Sequence, residues 1–149
     1  MKQYYSYDTF KNDTNELIKK LRPYKAQTIL AIARGGLTLS HCMAEGLEIR
    51  DVQSIRTELY DKDCKRSELT LFGECLFQEH IKKVLVVDDI ADSGETLDFI
   101  MKYLKRNFPE VEFQSCTLFY KKTSIYEPDF WINEALEWIE FFWEKDFIK

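Results

Sequence analysis

Glycine is scarce in this chain: five residues in 149, at Gly35, Gly36, Gly46, Gly73 and Gly94. Proline occurs three times and histidine twice. Collagen-like and Gly/Pro-rich low-complexity classes are thereby excluded. The four cysteines, Cys42, Cys64, Cys75 and Cys116, form no CxxC pair and have no histidine at ligand spacing. That argues against a zinc site and a disulfide framework. No apolar run approaches the roughly 18 residues of a membrane span. The opening MKQYYSYDTFKND lacks the apolar stretch of a secretory signal. A net charge of −5, with Lys and Arg spread along the chain, excludes a nucleic-acid coat. A cytoplasmic, soluble protein is expected, with 1–149 as one domain. Glycines this rare are expected where only glycine fits.

What is present is a core. Hydrophobic residues make up 45% and aromatics 15%, enough for a packed globule. Phe10, Leu17, Ile18 and Leu21 lie on one face of a helix, which Asp8 or Thr9 is placed to cap. Thr28-Ile-Leu-Ala-Ile-Ala33 is a continuous apolar run, the pattern of a buried strand, and stops at Arg34-Gly35-Gly36. A helical pattern follows through Leu39, Cys42, Met43 and Leu47. Asp51 to Thr57 is a weaker strand, and the polar stretch Tyr60 to Glu68 reads as a loop. Val84-Leu-Val-Val87 is the strongest strand, followed by a helix bearing Leu97, Ile100, Met101 and Leu104. Phe113 to Tyr120 is a further strand, and the tail from Glu127 holds all three tryptophans. Alternating strands and helices predict an α/β fold with a mainly parallel sheet. Ligands in such sheets bind at the carboxyl ends of the strands.

The most informative strand end is Asp88-Asp89-Ile-Ala-Asp92-Ser93-Gly94-Glu95-Thr96. Backbone N–H groups of Ser93, Gly94, Glu95 and Thr96 at a helix start make a cradle for a phosphate. Asp88 and Asp89 suit ribose hydroxyls or a Mg²⁺ held partly through water. One loop thus offers phosphate donors at one end and sugar or metal acceptors at the other, the polarity of a ribose 5-phosphate. A capped strand–turn–helix explains Asp92 and Ser93 but not two further acids. A response-regulator receiver domain also carries an acid pair after a strand. Its phosphoacceptor Asp has no counterpart in Phe119-Tyr-Lys-Lys122.

Val84 to Thr96 resembles the phosphoribosyl pyrophosphate (PRPP) motif of type I phosphoribosyltransferases. The resemblance extends over nearly the whole chain. It implies that fold, with helices flanking the sheet and a small C-terminal base-binding hood. In that family the strand-end acids contact ribose and the loop holds the 5-phosphate. Asp92 falls at the usual proton-transfer position. Arg34, Gly35 and Gly36 fall in the pyrophosphate loop, where Ala33–Arg34 is the bond to inspect for a cis peptide. Arg66 falls in the loop that closes over the site. Glu95 occupies the variable position, so its side chain must point away from the phosphate.

The tail resembles the xanthine-guanine group. Lys121 sits where purine enzymes place a lysine for the 6-oxo group, with Lys122 an alternative one position on. Trp138 and Ile139 are the expected base contacts, and the other tail aromatics are expected to form a small core. The implied activity is Mg²⁺-dependent transfer of phosphoribose from PRPP to a 6-oxopurine, as a homodimer or homotetramer. Neither a nucleic acid nor a membrane is an expected partner. A regulator that kept the fold, and an enzyme acting on a pyrimidine or orotate, are the alternatives. Ser67 to His80 departs from the family in its apolar residues, which suit either a lid or a subunit contact.

Overall fold

A computed structural model describes residues 1–62 and 66–149, and the side chains of all these except 60–62, 66 and 67. Nine strands and four α-helices follow one another along them. These are β1 (Lys2–Tyr5), α1 (Tyr7–Leu21), β2 (Thr28–Ile32), α2 (Leu37–Leu47), β3 (Asp51–Lys62), β4 (Arg66–Phe72) and β5 (Lys83–Val87). After them come β6 (Ile90–Ala91), α3 (Glu95–Asn107), β7 (Glu112–Tyr120), β8 (Phe130–Glu134), β9 (Trp138–Phe141) and α4 (Phe142–Lys145). The main sheet runs β4-β3-β2-β5-β7, and both β6 and β8 pair with β7. Every pairing in it is parallel except β3–β4. The expected α/β architecture is therefore present.

The sheet is apolar on both faces because helices cover both. Ile29, Leu85 and Val87 turn to one face, where they pack with Leu17, Ile18 and Leu21 of α1 and Leu39 and Met43 of α2. Their alternate neighbours Leu30, Val84 and Val86 pack with Leu97, Ile100, Met101 and Leu104 of α3. Side chains on a strand point alternately up and down, so a continuous apolar run requires two covered faces. Gly46 is the penultimate residue of α2, and a Cβ there would run into Ile18 of α1. Gly73 lies in a bend just after β4, at φ +100°.

Three local expectations change. The cap of α1 is Ser6, whose Oγ accepts the Thr9 N–H at 3.2 Å, while Asp8 lies in the first turn. The polar stretch after Thr57 is not a plain loop. Its described parts lie in the antiparallel strands β3 and β4, in which Arg56 pairs with Phe72 and Lys62 with Arg66, while 63–65 lie outside the described residues. Alternation across that strand pair, with Leu59 opposite Leu69 and Thr57 opposite Leu71, was masked by the charges at its far end. The apolar residues after Ser67 are partly absorbed by this chain's own core. Leu71 and Phe77 pack against the α3 side, whereas Leu76 stays exposed.

The tail also folds as more than an aromatic cluster. β8 joins the main sheet, and β9 pairs in parallel with the N-terminal β1, Lys2 opposite Trp138 and Tyr5 opposite Phe141. The first strand of the chain therefore helps to build the hood. Its four residues are too few to show periodicity.

Candidate active site

Strand ends converge on one cleft of about 730 Å³. β2 delivers Ala33, Arg34 and Gly35, β5 delivers Asp88 and Asp89, the loop after β6 delivers Asp92, and the first turn of α3 delivers Thr96. Lys121 follows β7, and Trp138 and Ile139 come from β9. Residues separated by a hundred positions meet here because parallel strands all point their carboxyl ends the same way.

The β2 loop is held close against β5. The Ala33–Arg34 peptide is cis. A Cβ on Gly35 would lie 2.5 Å from Asp89 Oδ2, and one on Gly36 would overlap the Val87 carbonyl oxygen. No side chain fits between the two loops, which explains both glycines.

Half-buried Asp88 and buried Asp89 are a like-charge pair. Asp89 is 8% exposed, and its N–H donates to Asp88 Oδ1 at 2.9 Å. Its carbonyl oxygen accepts from the N–H groups of Leu118 and Phe119 at 3.0 and 3.1 Å, fixing the turn. Burial, then the neighbouring Asp89 charge, pushes the Asp88 carboxyl well above its usual range. Burial pushes Asp89 up to about 6, and the nearby Glu144 charge acts in the same direction. Among the described residues no group of three or more His, Cys, Asp or Glu could cage a metal. Two oxygen-donor side chains, with the remaining positions left to water and substrate, fit Mg²⁺ rather than a closed protein cage.

Behind the acids lies a recess of about 100 Å³ bordered by Ala91, Asp92, Ser93, Gly94 and Thr96. Helix α3 starts there on Gly94 at φ +84°, without a side-chain cap. A Cβ at Gly94 would lie 2.7 Å from the Tyr126 nitrogen and overlap Ser124 Oγ, so the helix start is pressed against the 124–126 turn. The Glu95 N–H donates to Ser93 Oγ at 3.3 Å, so one cradle donor already has a local partner. The Glu95 side chain turns away to a separate cleft with Asp98 and Phe99, as its position required.

At the other end of the main cleft, Lys121 Nζ lies 3.3 Å from Asp92 Oδ1. Lys122 pairs instead with Glu134 at 3.2 Å, which leaves Lys121 as the lysine that lines the cleft. Trp138 is 64% exposed and lines the same space, while Ile139 beneath it is buried. The other two tryptophans behave as core. Trp131 packs on Tyr120 at 5.2 Å, and Trp143 stacks on Phe141 at 4.6 Å.

The chain matches the phosphoribosyl transferase domain family over residues 1–146. It belongs to that family. A curated xanthine-guanine phosphoribosyltransferase of Idiomarina loihiensis is 29% identical over 144 residues, covering 93% of this chain and 84% of the relative. The solved Helicobacter pylori xanthine-guanine-hypoxanthine phosphoribosyltransferase superposes with a TM-score of 0.92 at 34% identity, over 98% of this chain and 96% of that one. A purine phosphoribosyltransferase from Pyrococcus horikoshii Ot3 follows with a TM-score of 0.86 at 25% identity, over 99% and 97% of the two chains.

Of the residues singled out in the sequence, Arg34, Gly35, Asp88, Asp89, Asp92, Thr96, Lys121, Trp138 and Ile139 line this phosphoribosyltransferase cleft, Ser93 and Gly94 border the smaller recess, and Glu95 lines a separate cleft. Gly36 supports the cleft from beneath through its contact with β5. Arg66 begins β4, but its side chain lies outside the described residues. Lining residues that the sequence did not single out include Met1, Thr57, Ala135, Leu136 and Glu137. Thr57 sits mid-strand in β3, and the others belong to segments placed only by the hood.

Proposed function

We propose that this phosphoribosyltransferase joins a 6-oxopurine to PRPP and releases pyrophosphate, within one domain spanning 1–149. The observation that carries the reading is the meeting of Asp92, Lys121 and Trp138 with Asp88, Asp89 and the Arg34 loop in one cleft. The purine stacks on Trp138, a contact worth roughly 1 kcal/mol beyond its area. Its 6-oxo oxygen accepts from the Lys121 ammonium. The purine nitrogen attacks C1′ as the bond from C1′ to the pyrophosphate oxygen breaks. Asp92 takes the proton that N7 gives up.

Asp88 and Asp89 hold the ribose hydroxyls, and the 5-phosphate rests on Ser93, Gly94, Glu95 and Thr96 through backbone N–H and hydroxyl donors. Arg34, with Gly35 and Gly36, holds the pyrophosphate by charge-assisted hydrogen bonds, and Arg66 joins from β4. A Mg²⁺ at Asp88 and Asp89 supplies positive charge for the leaving pyrophosphate. The cleft favours it, since among the described residues five acids and two bases line it. Among the described residues no helix is long and apolar enough to cross a membrane. The reading carries with it a cytoplasmic homodimer or homotetramer.

The test is pyrophosphate release with PRPP and guanine, xanthine, hypoxanthine, adenine, uracil or orotate in turn, with and without Mg²⁺. Turnover confined to the oxopurines and abolished by a chelator is expected. Turnover with none of them, together with tight PRPP binding, would move the reading to a regulator.

A further inference from the structure

The ribbon of β1 and β9 carries Trp138 but stands apart from the main sheet. A two-stranded ribbon is marginal by itself, so its position depends on contacts with the rest of the fold. Much of that contact is apolar, through Ile139 and Phe141. Apolar packing is non-directional and does not by itself set a height over the cleft.

Hydrogen bonds are directional, and two of them converge on Asp13. Tyr5 of β1 donates its hydroxyl to Asp13 Oδ2 at 2.6 Å. Asn133 of β8 donates its side-chain N–H to the same oxygen at 2.8 Å. A single carboxylate on α1 therefore ties the strand beside Trp138 to the strand that leads into the Trp138 segment. The Tyr5 ring, 1% exposed, packs edge-on against Phe119 at 4.9 Å and Phe141 at 5.7 Å. Phe119 in turn donates its N–H to the Asp89 carbonyl. Burial, then the hydrogen bond to Asp13, pushes the Tyr5 hydroxyl pKa up, which keeps it a neutral donor.

We infer that Asp13 is a positioning residue for the purine: through Tyr5 and Asn133 it sets the height of the β1–β9 ribbon over the cleft. This rests on the reading that the ribbon holds the base. The phosphate and pyrophosphate loops belong to α3, β2 and β5, which the Asp13 bonds do not touch. Loss of the clamp should therefore act on the base and spare PRPP.

The experiment compares Tyr5→Phe, Asp13→Ala and Asp13→Asn with the parent enzyme, measuring KM for guanine and for PRPP, kcat and thermal stability. Tyr5→Phe should raise the guanine KM about fivefold, the loss of one hydrogen bond, and Asp13→Ala, which loses two, should raise it further; both should leave the PRPP KM within about twofold. Asp13→Asn keeps an oxygen that accepts from both donors and should restore the parent guanine KM. An unchanged guanine KM in folded Tyr5→Phe, or an equal rise in both KM values, would overturn the inference. Should Tyr5→Phe not fold, Asn133→Ala carries the same test with the same two outcomes. Trp138→Ala separates the levels. If it leaves the guanine KM unchanged, the hood reading itself fails. If it raises that KM while Tyr5→Phe does not, only the positioning role fails.

Discussion

Lys121 and Asp92 face each other at 3.3 Å because two strands end together. Ala91 of β6 pairs with Tyr120 of β7, and the Lys121 N–H donates to the Ala91 carbonyl at 3.0 Å. The next residue along each strand thus emerges into the same space. Their side chains are 50% and 56% exposed, so the ion pair contributes at most about 1 kcal/mol and opens readily to a ligand. A purine bearing an acceptor for Lys121 and a proton for Asp92 replaces that pair with two directed contacts.

Lys121→Ala should lower kcat/KM for guanine and hypoxanthine by about 10- to 100-fold, the loss of a charge-assisted hydrogen bond. Activity on adenine, which offers no 6-oxo acceptor, should change little. Competition assays with both bases measure the ratio. An unchanged ratio would remove Lys121 from base selection.

Asp92→Asn should reduce kcat by about 10²- to 10⁴-fold, the usual worth of a positioned proton acceptor. PRPP affinity, read by calorimetry, should stay near the parent value. Turnover close to the parent enzyme would assign the proton elsewhere.

Gly36→Ala and Gly35→Ala should separate fold from site. The added methyl at Gly36 meets backbone oxygens of Val87 and Ile32, which cannot move aside, so thermal stability should fall by roughly 1–3 kcal/mol. At Gly35 the nearest atoms it meets are those of the Asp89 carboxylate, a side chain. That variant should keep most of its stability and lose PRPP affinity in Mg²⁺. A reversed ranking in thermal melts would contradict the packing argument.

Asp89→Asn should stabilise the ligand-free protein at neutral pH. Burial first, with the Glu144 charge acting the same way, raises the folded Asp89 pKa to about 6, against about 3.9 when unfolded. A raised carboxyl pKa favours the folded state at low pH. That advantage disappears as pH rises from about 4 through about 6, on the order of 2 kcal/mol. Urea unfolding of parent and variant should therefore nearly coincide at about pH 4 and diverge in favour of the variant at about pH 8. An equal gap at both values would mean that Asp89 does not titrate in this window.

How far the sequence could be read depended on range. Val84–Val87 is apolar on both faces, and that run alone implied a doubly covered sheet. The order Asp88-Asp89, Asp92, Ser93-Gly94 placed acids at a strand mouth and donors at a helix start, both within thirteen residues. The strand pair β3–β4 was harder. Its strands alternate, but the charges at 61–66 carry the same composition as a solvated loop. The hood was least legible, because β1 gains its meaning only from pairing with Trp138–Phe141 at the far end of the chain.

The sequence by itself determined the chemistry on offer: which acids, which glycines, which lysines and which tryptophans. Local periodicity and turn residues are short-range properties, so they survive reading along the chain. Tertiary structure decided which of several equivalent residues is used. It turned Lys121 to the cleft and Lys122 to Glu134, left Trp138 exposed while burying much of Trp131 and Trp143, and set Gly35 and Gly36 against β5. Those choices depend on strand register and on the meeting of distant segments. Neighbours in sequence with the same side chain differ in nothing else.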